Sequence, residues 1–196
     1  MTGVVLAGGG SRRMGREKAL LRIGDRTLLE LAAEPLRACC REVLISARDA
    51  EKFRAFGHRV ILDLYDVPGP LTGIHSAVHH AAFEKVAVLG CDMPFVRVEL
   101  LRLLYDLSGE VDVVMPRTES GPEPLCAIYS RACLVPIARS IESGRFRVVD
   151  FLDDVRCRFV SEGELRAADA ELRSFVNVNT VEEYVRISTR VEGRSG

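Results

Sequence analysis

The chain has no excess of charge of either sign and no long apolar run. Its 27 lysines and arginines stand against 28 aspartates and glutamates, which gives a formal net charge of −1. This balance excludes a nucleic-acid-binding protein that relies on bulk positive charge, so any anion site should be local. No apolar stretch approaches the ~20 residues of a membrane-spanning helix, and the first apolar run is too short for a signal peptide. We therefore expect a cytoplasmic protein with no nucleic-acid partner and no membrane partner.

The sequence also lacks paired cysteines. Its six cysteines show no C-x-x-C spacing, and most of them stand among apolar residues. A metal site or a disulfide framework would be the functional interpretation of such residues. We favour buried thiols that act as small hydrophobic groups in a reducing compartment. These residues are Cys39, Cys40, Cys91, Cys126, Cys133 and Cys157.

What the sequence does contain is a regular alternation of short apolar runs and segments of helical period. Its 196 residues suffice for one substantial domain. The alternation predicts an α/β fold, with a mostly parallel sheet, helices on both faces and right-handed crossovers. Thr27 is expected to open the first helix, with Glu30 completing a capping box. Strands are expected at residues 3–7, 42–46, 59–62, 85–91 and 111–115, and further helices at 49–56, 71–83 and 96–107.

The alternation changes after residue 116. A polar loop at residues 117–124 leads into an expected strand at 125–130 and a helix at 131–142. A further strand is expected at 155–160, and we interpret it as an antiparallel addition to the sheet. Thr180 and Glu183 have capping-box spacing at the start of a last helix. The prediction is a single domain over residues 1–190, followed by a flexible tail at 191–196.

Residues 4–21 read VVLAGGGSRRMGREKALL, in which an apolar run stops at three glycines. A Walker loop would need Lys-Ser/Thr after Gly15, and a dinucleotide fingerprint would need glycine where Arg13 stands, so both motifs are excluded. Glycines after a buried strand still let backbone N–H groups approach an anion, at the edge where α/β sheets bind ligands. A solvated basic turn is the alternative, but the position after the first strand favours phosphate binding. The cations of this stretch are Arg12, Arg13, Arg16 and Lys18.

Two aspartates follow expected strands in the same way. Asp92 ends the apolar run at 85–91, and Asp63 ends the run at 59–62. A carboxylate at that edge is suited to hold Mg²⁺ against phosphates, since Mg²⁺ keeps most of its waters and needs only one or two protein carboxylates. A helix N-cap is the structural alternative for each aspartate. Three strand ends with glycines, Asp63 and Asp92 favour one shared site.

With these features in view, the sequence closely resembles the molybdenum cofactor guanylyltransferases. The glycine loop alone would indicate only the wider nucleotidyltransferase superfamily, whereas the combination is much more specific and spans essentially the whole chain. The matching motifs are LAGGGSRRMGREKALL, PGPLTGI at 68–74, CDMPF at 91–95, EPLCAIY at 123–129, RVVDFL at 147–152 and FVNVNT at 175–180.

The resemblance implies a Rossmann-like, three-layer α/β/α nucleotidyltransferase fold and transfer of GMP from GTP to molybdopterin, with release of pyrophosphate. It implies Mg²⁺ as cofactor, and molybdopterin-insertion and recipient molybdoenzyme proteins as partners. By motif position, Lys18 corresponds to the phosphate-binding lysine, Asp63 to a nucleotide contact and Asp92 to the Mg²⁺ ligand. Backbone contacts to the nucleotide are implied for Leu6, Ala7, Gly8 and Gly9, and contacts to the pterin-side substrate for Asn177 and Asn179, with residues 68–73 nearby.

The catalytic prediction combines Lys18, Arg13 and Asp92, with both cations neutralising the departing pyrophosphate. The chain departs from the family pattern at two places. Glu17 stands before the lysine where the family often has an extra residue and an aspartate, and Ser46 stands where an asparagine can contact the guanosine portion.

Alternative functions stay open at this point. A cytidylyltransferase of the same fold is the nearest one, although Ala7-Gly8-Gly9 favours guanine because cytidylyl relatives tend to have Ala-Ala-Gly there. A non-catalytic GTP-binding relative is the second, and the presence of both Lys18 and Asp92 counts against it. His75 and His79 have the i, i+4 spacing of metal-binding pairs, but without a third ligand we favour a structural or surface pair. Contact with the pterin substrate is the alternative, because the two histidines directly follow the PGPLTG motif.

Overall fold

The computed structural model describes residues 1–8 and 17–192, and these residues form an α/β fold with a mixed sheet. Within them, eight strands form the main sheet, and two short strands form a separate hairpin. The main-sheet strands are Thr2–Leu6 (β1), Glu42–Ser46 (β4), Arg59–Ile61 (β5), Lys85–Gly90 (β6), Val113–Thr118 (β7), Gly121–Pro122 (β8), Cys126–Ser130 (β9) and Cys157–Ser161 (β10). The hairpin pairs Arg22–Ile23 (β2) with Arg26–Thr27 (β3) in antiparallel fashion.

The described part of the chain has six α-helices, of which the first four lie between strands and the last two follow β10. They are Leu28–Cys39 (α1), Pro70–His80 (α2), Val98–Asp106 (α3), Leu134–Glu142 (α4), Glu162–Leu165 (α5) and Val181–Glu192 (α6). Short 3₁₀ helices lie at Lys18–Leu20, Glu51–Phe56, Arg131–Cys133, Val148–Asp154 and Arg173–Phe175. The capping box of Thr27 and Glu30 at the start of α1 is present as the sequence predicts.

The sheet is buried on both faces, because alternate residues of its strands enter two different cores. Val5 packs with Leu36 of α1 and Leu100 of α3 on one face. Val4 packs with Ile74 of α2 and Ile137 of α4 on the other face. The result is the three-layer arrangement that the sequence predicts.

The strand order is β10-β7-β9-β6-β1-β4-β5, with β8 paired to β7. The β1 strand pairs in parallel with β4 on one side and with β6 on the other, so the chain order reverses beside β1. In open α/β sheets such a reversal opens a crevice at the carboxyl ends of the strands, where ligands bind. The fold therefore predicts that a ligand binds beside the segments that follow β1 and β6.

The direction of two strands differs from the sequence prediction. The β10 strand runs parallel to β7, so the expectation of an antiparallel strand at 155–160 is wrong. The antiparallel member of the central sheet is β9, which lies between β6 and β7. Residues 119–125 are too few for a crossover and therefore return the chain antiparallel, whereas residues 131–156 contain α4 and allow the parallel crossover to β10.

The structure also bears on the predictions for the cysteines, for membrane-spanning helices and for the C-terminal tail. All six cysteines carry free thiols, and Cys91, Cys126 and Cys133 are buried. Among the described residues, no helix is both long and apolar enough to cross a bilayer. The α6 helix extends to Glu192, and the rest of the expected tail, 193–196, lies outside the described residues.

Candidate functional site

The predicted residues at strand ends gather at one edge of the sheet. Two backbone hydrogen bonds join neighbouring loops there, since Ala7 N donates to Ser46 O at 2.8 Å and Cys91 N donates to Leu6 O at 3.2 Å. The predicted residues at this edge are Leu6 at the end of β1, Ala7 and Gly8 after it, Asp63 after β5 and Asp92 after β6. Gly9 and Arg13 lie outside the described residues, as does the rest of the loop at 9–16.

One side of this edge is formed by β1, β4, β5 and the start of α2. Ser46 Oγ donates to Asp63 Oδ1 at 3.3 Å. Gly73, in α2, packs against Leu6 and Ser46. A Cβ built on Gly73 would lie 3.4 Å from Leu6 Cδ2 and 3.6 Å from Ser46 Oγ. Burial raises the pKa of Asp63, against the lowering effects of the Ser46 hydrogen bond and the Arg48 charge. We call Leu6, Ala7, Gly8, Ser46, Asp63 and Gly73 the parallel half of the edge.

On the other side, three polar side chains from distant parts of the chain converge. Lys18 Nζ lies 2.9 Å from Asp92 Oδ2 and 3.0 Å from Asn179 Oδ1. The lysine and aspartate side chains are 16% and 22% exposed, so the ion pair is largely shielded from solvent. We call Lys18, Asp92, Glu123, Asn177 and Asn179 the mixed half of the edge, because antiparallel and irregular segments contribute to it.

Lys18 is fixed by the segment that follows it. It begins the 3₁₀ helix Lys18–Leu20, in which Ala19 is fully buried. Leu28 N then donates to Leu21 O at 2.8 Å, which closes the β2–β3 hairpin against the start of α1. The ammonium group is thus carried by a short turn whose apolar neighbour is anchored in the core.

The two asparagines are presented by an extended segment beside Asp92. Val178 N donates to Asp92 O at 2.9 Å. The Val178 side chain is fully buried in a cluster with Ile23 and Leu28. Because alternate residues of an extended segment point to opposite sides, Asn177 and Asn179 lie on the side away from that cluster.

Two further residues at the site were not singled out by sequence reasoning. Gly90 ends β6, and a Cβ at this position would collide with the Asp92 carboxylate. Glu123 precedes the antiparallel strand β9, whose first residues lie beside the end of β6. Burial raises the pKa of Glu123, the Thr118 hydrogen bond lowers it and the Asp92 charge raises it further. The motif at 123–129 matches the family, but only the direction of β9 reveals where Glu123 lies.

A cavity of about 200 Å³ opens in the mixed half. Its lining is Asp92, Met93, Glu123, Pro124, Leu125, Asn177 and Asn179. The site therefore combines a shielded lysine–carboxylate pair with an adjacent cavity that is lined by both apolar and polar residues.

The donor set suits a hard divalent cation. A carboxylate oxygen of Asp92 and an amide oxygen of Asn179 both contact the positive Lys18 Nζ, so they already converge on one cationic group. Oxygen ligands of these two types are the ones that Mg²⁺ and Ca²⁺ prefer. Elsewhere, His75 and His79 stack with ring centroids 6.3 Å apart, and among the described residues no group of three or more His, Cys, Asp or Glu side chains could hold a metal ion.

Comparisons with known proteins agree with this architecture. The model of the MobA-like NTP transferase domain matches residues 3–155. A probable molybdenum cofactor guanylyltransferase of Pelotomaculum thermopropionicum is 44% identical, over 97% of this chain and 93% of that protein. A molybdenum cofactor guanylyltransferase of Desulfosudis oleivorans is 34% identical, over 98% and 96%.

Solved structures extend the similarity to the fold. The molybdopterin-guanine dinucleotide biosynthesis protein A of Archaeoglobus fulgidus has a TM-score of 0.85 at 29% identity, covering 98% of this chain and all of that one. A Mycobacterium tuberculosis protein solved in complex with manganese has a TM-score of 0.63 at 22% identity, covering 96% and 97%. These matches confirm the predicted fold class and the resemblance drawn from the motifs.

Proposed function

Because the chain belongs to the molybdenum cofactor guanylyltransferase family of MobA-like NTP transferases, we propose that it transfers GMP from GTP to molybdenum-molybdopterin. The reaction releases pyrophosphate and forms the molybdopterin guanine dinucleotide. The observation that carries the proposal is the convergence of Lys18, Asp92 and Asn179 beside β1 and β6, where the strand order reverses.

Lys18 supplies positive charge to the nucleotide phosphates in this proposal. Phosphoryl-group transfer depends on positioning and charge neutralisation more than on covalent help from the protein. Asp92 and Asn179 hold the ammonium group in place before the nucleotide arrives, which limits the side-chain entropy lost on binding. The acceptor phosphate is already anionic at neutral pH, so no general base is required. Arg13 assists Lys18 with the departing pyrophosphate, a role that rests on the sequence motif.

The nucleotide spans both halves of the edge, with its phosphates at Lys18 and Asp92, whereas the pterin-side substrate lies in the mixed half alone. The nucleotide contacts the backbone of Leu6, Ala7, Gly8 and Gly9, together with Asp63. The pterin-side substrate contacts Asn177 and Asn179. This division is supported by the crevice beside β1, which both halves border.

We assign the divalent cation of the reaction as Mg²⁺. Asp92 would hold it, in keeping with the hard oxygen donors that a carboxylate offers. The bound ion supplies charge neutralisation to the triphosphate. The manganese complex of a protein with the same fold supports the use of a divalent cation. A cytoplasmic location and contact with molybdopterin-insertion and recipient molybdoenzyme proteins remain predictions.

The test supplies molybdopterin and Mg²⁺ with GTP, CTP or ATP in separate reactions. GTP should give the guanine dinucleotide and one pyrophosphate per product, whereas CTP and ATP should give little. A cytidylyltransferase would instead make product from CTP. A non-catalytic relative would show a higher melting temperature with GTP and Mg²⁺ but release no pyrophosphate. Either result would contradict the proposal.

A further inference from the structure

The antiparallel direction of β9 brings Glu123 to the ligand edge. In this strand the first residues, not the last, lie beside the carboxyl end of β6. The backbone of Glu123 is fixed at both ends, since its N–H donates to Pro116 O at 2.9 Å and its carbonyl accepts from Cys126 N at 3.0 Å. Tyr129 Oη donates to Pro124 O at 2.8 Å and anchors the next residue. Glu123 is therefore held rigidly beside Asp92.

The Glu123 carboxylate is half-buried and has one weak hydrogen-bond donor among the described residues. Thr118 Oγ1 lies 3.4 Å from Oε1 and 3.3 Å from Gly121 O, so its single proton serves one of the two acceptors at a time. Burial and the neighbouring Asp92 charge both disfavour the ionised form. A carboxylate also repels the phosphates that this edge receives in the proposed reaction. A ligand group that presents N–H donors would offset both costs.

The cavity beside Glu123 has both apolar and polar lining. Buried Met93 and half-buried Pro124 and Leu125 supply apolar surface, and Glu123 and Asn177 supply polar groups. Its volume of about 200 Å³ is below the roughly 300 to 1,000 Å³ of pockets for drug-sized ligands. A fused bicyclic heterocycle is a ligand of suitable size and polarity.

We propose that Glu123 recognises the pterin ring of the acceptor by accepting hydrogen bonds from its C2 amino group and N3–H. This inference rests on the proposed function and names the residue that selects the acceptor's ring. Two carboxylate oxygens match two adjacent N–H donors, and an acceptor-only carboxylate excludes a ring that presents a carbonyl at C2. The competing role, a second ligand of the divalent cation, is an outcome of the test.

The first experiment compares Glu123→Gln with the wild-type enzyme in steady-state kinetics. The amide keeps the size of the side chain but replaces one acceptor by a donor. The KM for molybdopterin should rise at least about tenfold, as expected for losing a hydrogen bond to a charged group. The KM for GTP and the Mg²⁺ concentration for half-maximal rate should stay within about twofold. Glu110→Gln, at an exposed turn, is the matched control and should change none of these values.

The second experiment measures binding without turnover. Titration of the protein with 6-hydroxymethylpterin and with lumazine, which carries a carbonyl at C2, is followed by ligand fluorescence. The wild type should bind the pterin more tightly, and Glu123→Gln should lose most of this preference. Glu123→Asp keeps the charge and should retain the preference with weaker affinity, which separates recognition from a folding defect.

The outcomes distinguish this inference from the proposed function. If the wild type makes no dinucleotide, the proposed function fails, and the pterin–lumazine comparison still decides the role of Glu123. If the wild type is active but Glu123→Gln keeps both its acceptor KM and its pterin preference, the inference is wrong. A large rise in the Mg²⁺ requirement alone would assign Glu123 to the cation and would also overturn it.

Discussion

The two halves of the ligand edge are assembled in different ways. In the parallel half, Ser46 ends β4 and Asp63 follows β5, and the parallel pairing of β1, β4 and β5 brings these strand ends together. In the mixed half, Lys18 contacts residues 74 and 161 positions away. Strand pairing thus positions the residues of the parallel half, whereas packing between distant segments of the chain positions those of the mixed half. We expect substitutions that disturb the Lys18–Asp92 pair of the mixed half to lower turnover, and those in the parallel half to weaken nucleotide binding.

The largest effect is expected at Asp92. Asp92→Ala removes the carboxylate that contacts Lys18 and that we assign to the cation. Loss of this charge at the reacting phosphates should lower kcat/KM by about 1,000-fold or more. The kcat/KM of the variant is measured by pyrophosphate release from GTP in the presence of Mg²⁺ and molybdopterin. Asp106→Ala, at an exposed position of α3, should leave the rate unchanged. Near-normal turnover by Asp92→Ala would remove the mixed half from the chemistry.

Gly90→Ala should give the second largest effect. The added methyl group would collide with the Asp92 carboxylate, which must rotate away, while the nearest Leu125 atom is 3.5 Å distant and tolerates the change. We expect kcat to fall about 10- to 100-fold with little loss of thermal stability. Gly109→Ala is the matched control, because a Cβ there meets no atom within 4 Å. If Gly90→Ala unfolds the protein instead, the glycine serves packing of the strand and not the carboxylate.

The contrast also explains what the sequence alone could predict. The helical periodicity and the short apolar runs predicted the α/β class and the strands that precede Asp63 and Asp92, because these sequence signals are local. The direction of β9 depends on the short return at residues 119–125, which apolar periodicity does not encode. Glu123 was therefore missed, and the antiparallel strand was assigned to 155–160.

Contacts between residues that are distant in the sequence are the second feature that could not be predicted from the sequence alone. Motif similarity named Lys18, Asp92 and Asn179 separately, but nothing local in the sequence indicates that one ammonium group joins the other two side chains. Their meeting depends on burial of Ala19 and Val178 in two different cores. The clash that reserves position 90 for glycine likewise depends on the rotamer of Asp92.

Asp63→Asn tests the parallel half and should act on binding. The KM for GTP should rise about tenfold with kcat within about twofold, as expected when binding alone is lost. Exposed Asp66→Asn, in the same loop, is the control. A fall in kcat without a change in KM would instead assign Asp63 to the chemical step.

The same substitution should change stability in a pH-dependent way. Burial raises the pKa of Asp63 above its ordinary value of 3.8. The stability contributed by the protonated carboxyl is therefore complete below pH 3.8 and is lost as the pH rises through the folded-state pKa. The amide does not ionise, so the melting temperature of Asp63→Asn should exceed that of the wild type at neutral pH. Thermal melts from pH 3 to pH 8, on the order of one per pH unit, measure whether the difference shrinks on acidification.

The smallest effect is expected at Thr180, which supports the mixed half from outside. Thr180 Oγ1 accepts from Glu183 N at 3.1 Å, and Glu183 Oε2 accepts from the backbone N–H groups of Thr180 and Asn179. Thr180→Ala should cost about 1 kcal/mol of unfolding free energy, which lowers the melting temperature by roughly 2–4 °C. Turnover should fall less than about threefold. The reason is that the buried side chain of Val178, and the hydrogen bond from Val178 N to the carbonyl oxygen of Asp92, still fix the segment that carries the asparagines.

Thr189→Ala, at an exposed position within the same helix, is the control and should be neutral or slightly stabilising, since alanine has the higher helix propensity. The comparison decides what holds the asparagines in place. If Thr180→Ala lowers turnover as much as Gly90→Ala does, the start of α6 positions Asn177 and Asn179. If only the melting temperature changes, the burial of Val178 is sufficient, and the mixed half depends on its apolar anchors rather than on the helix that follows.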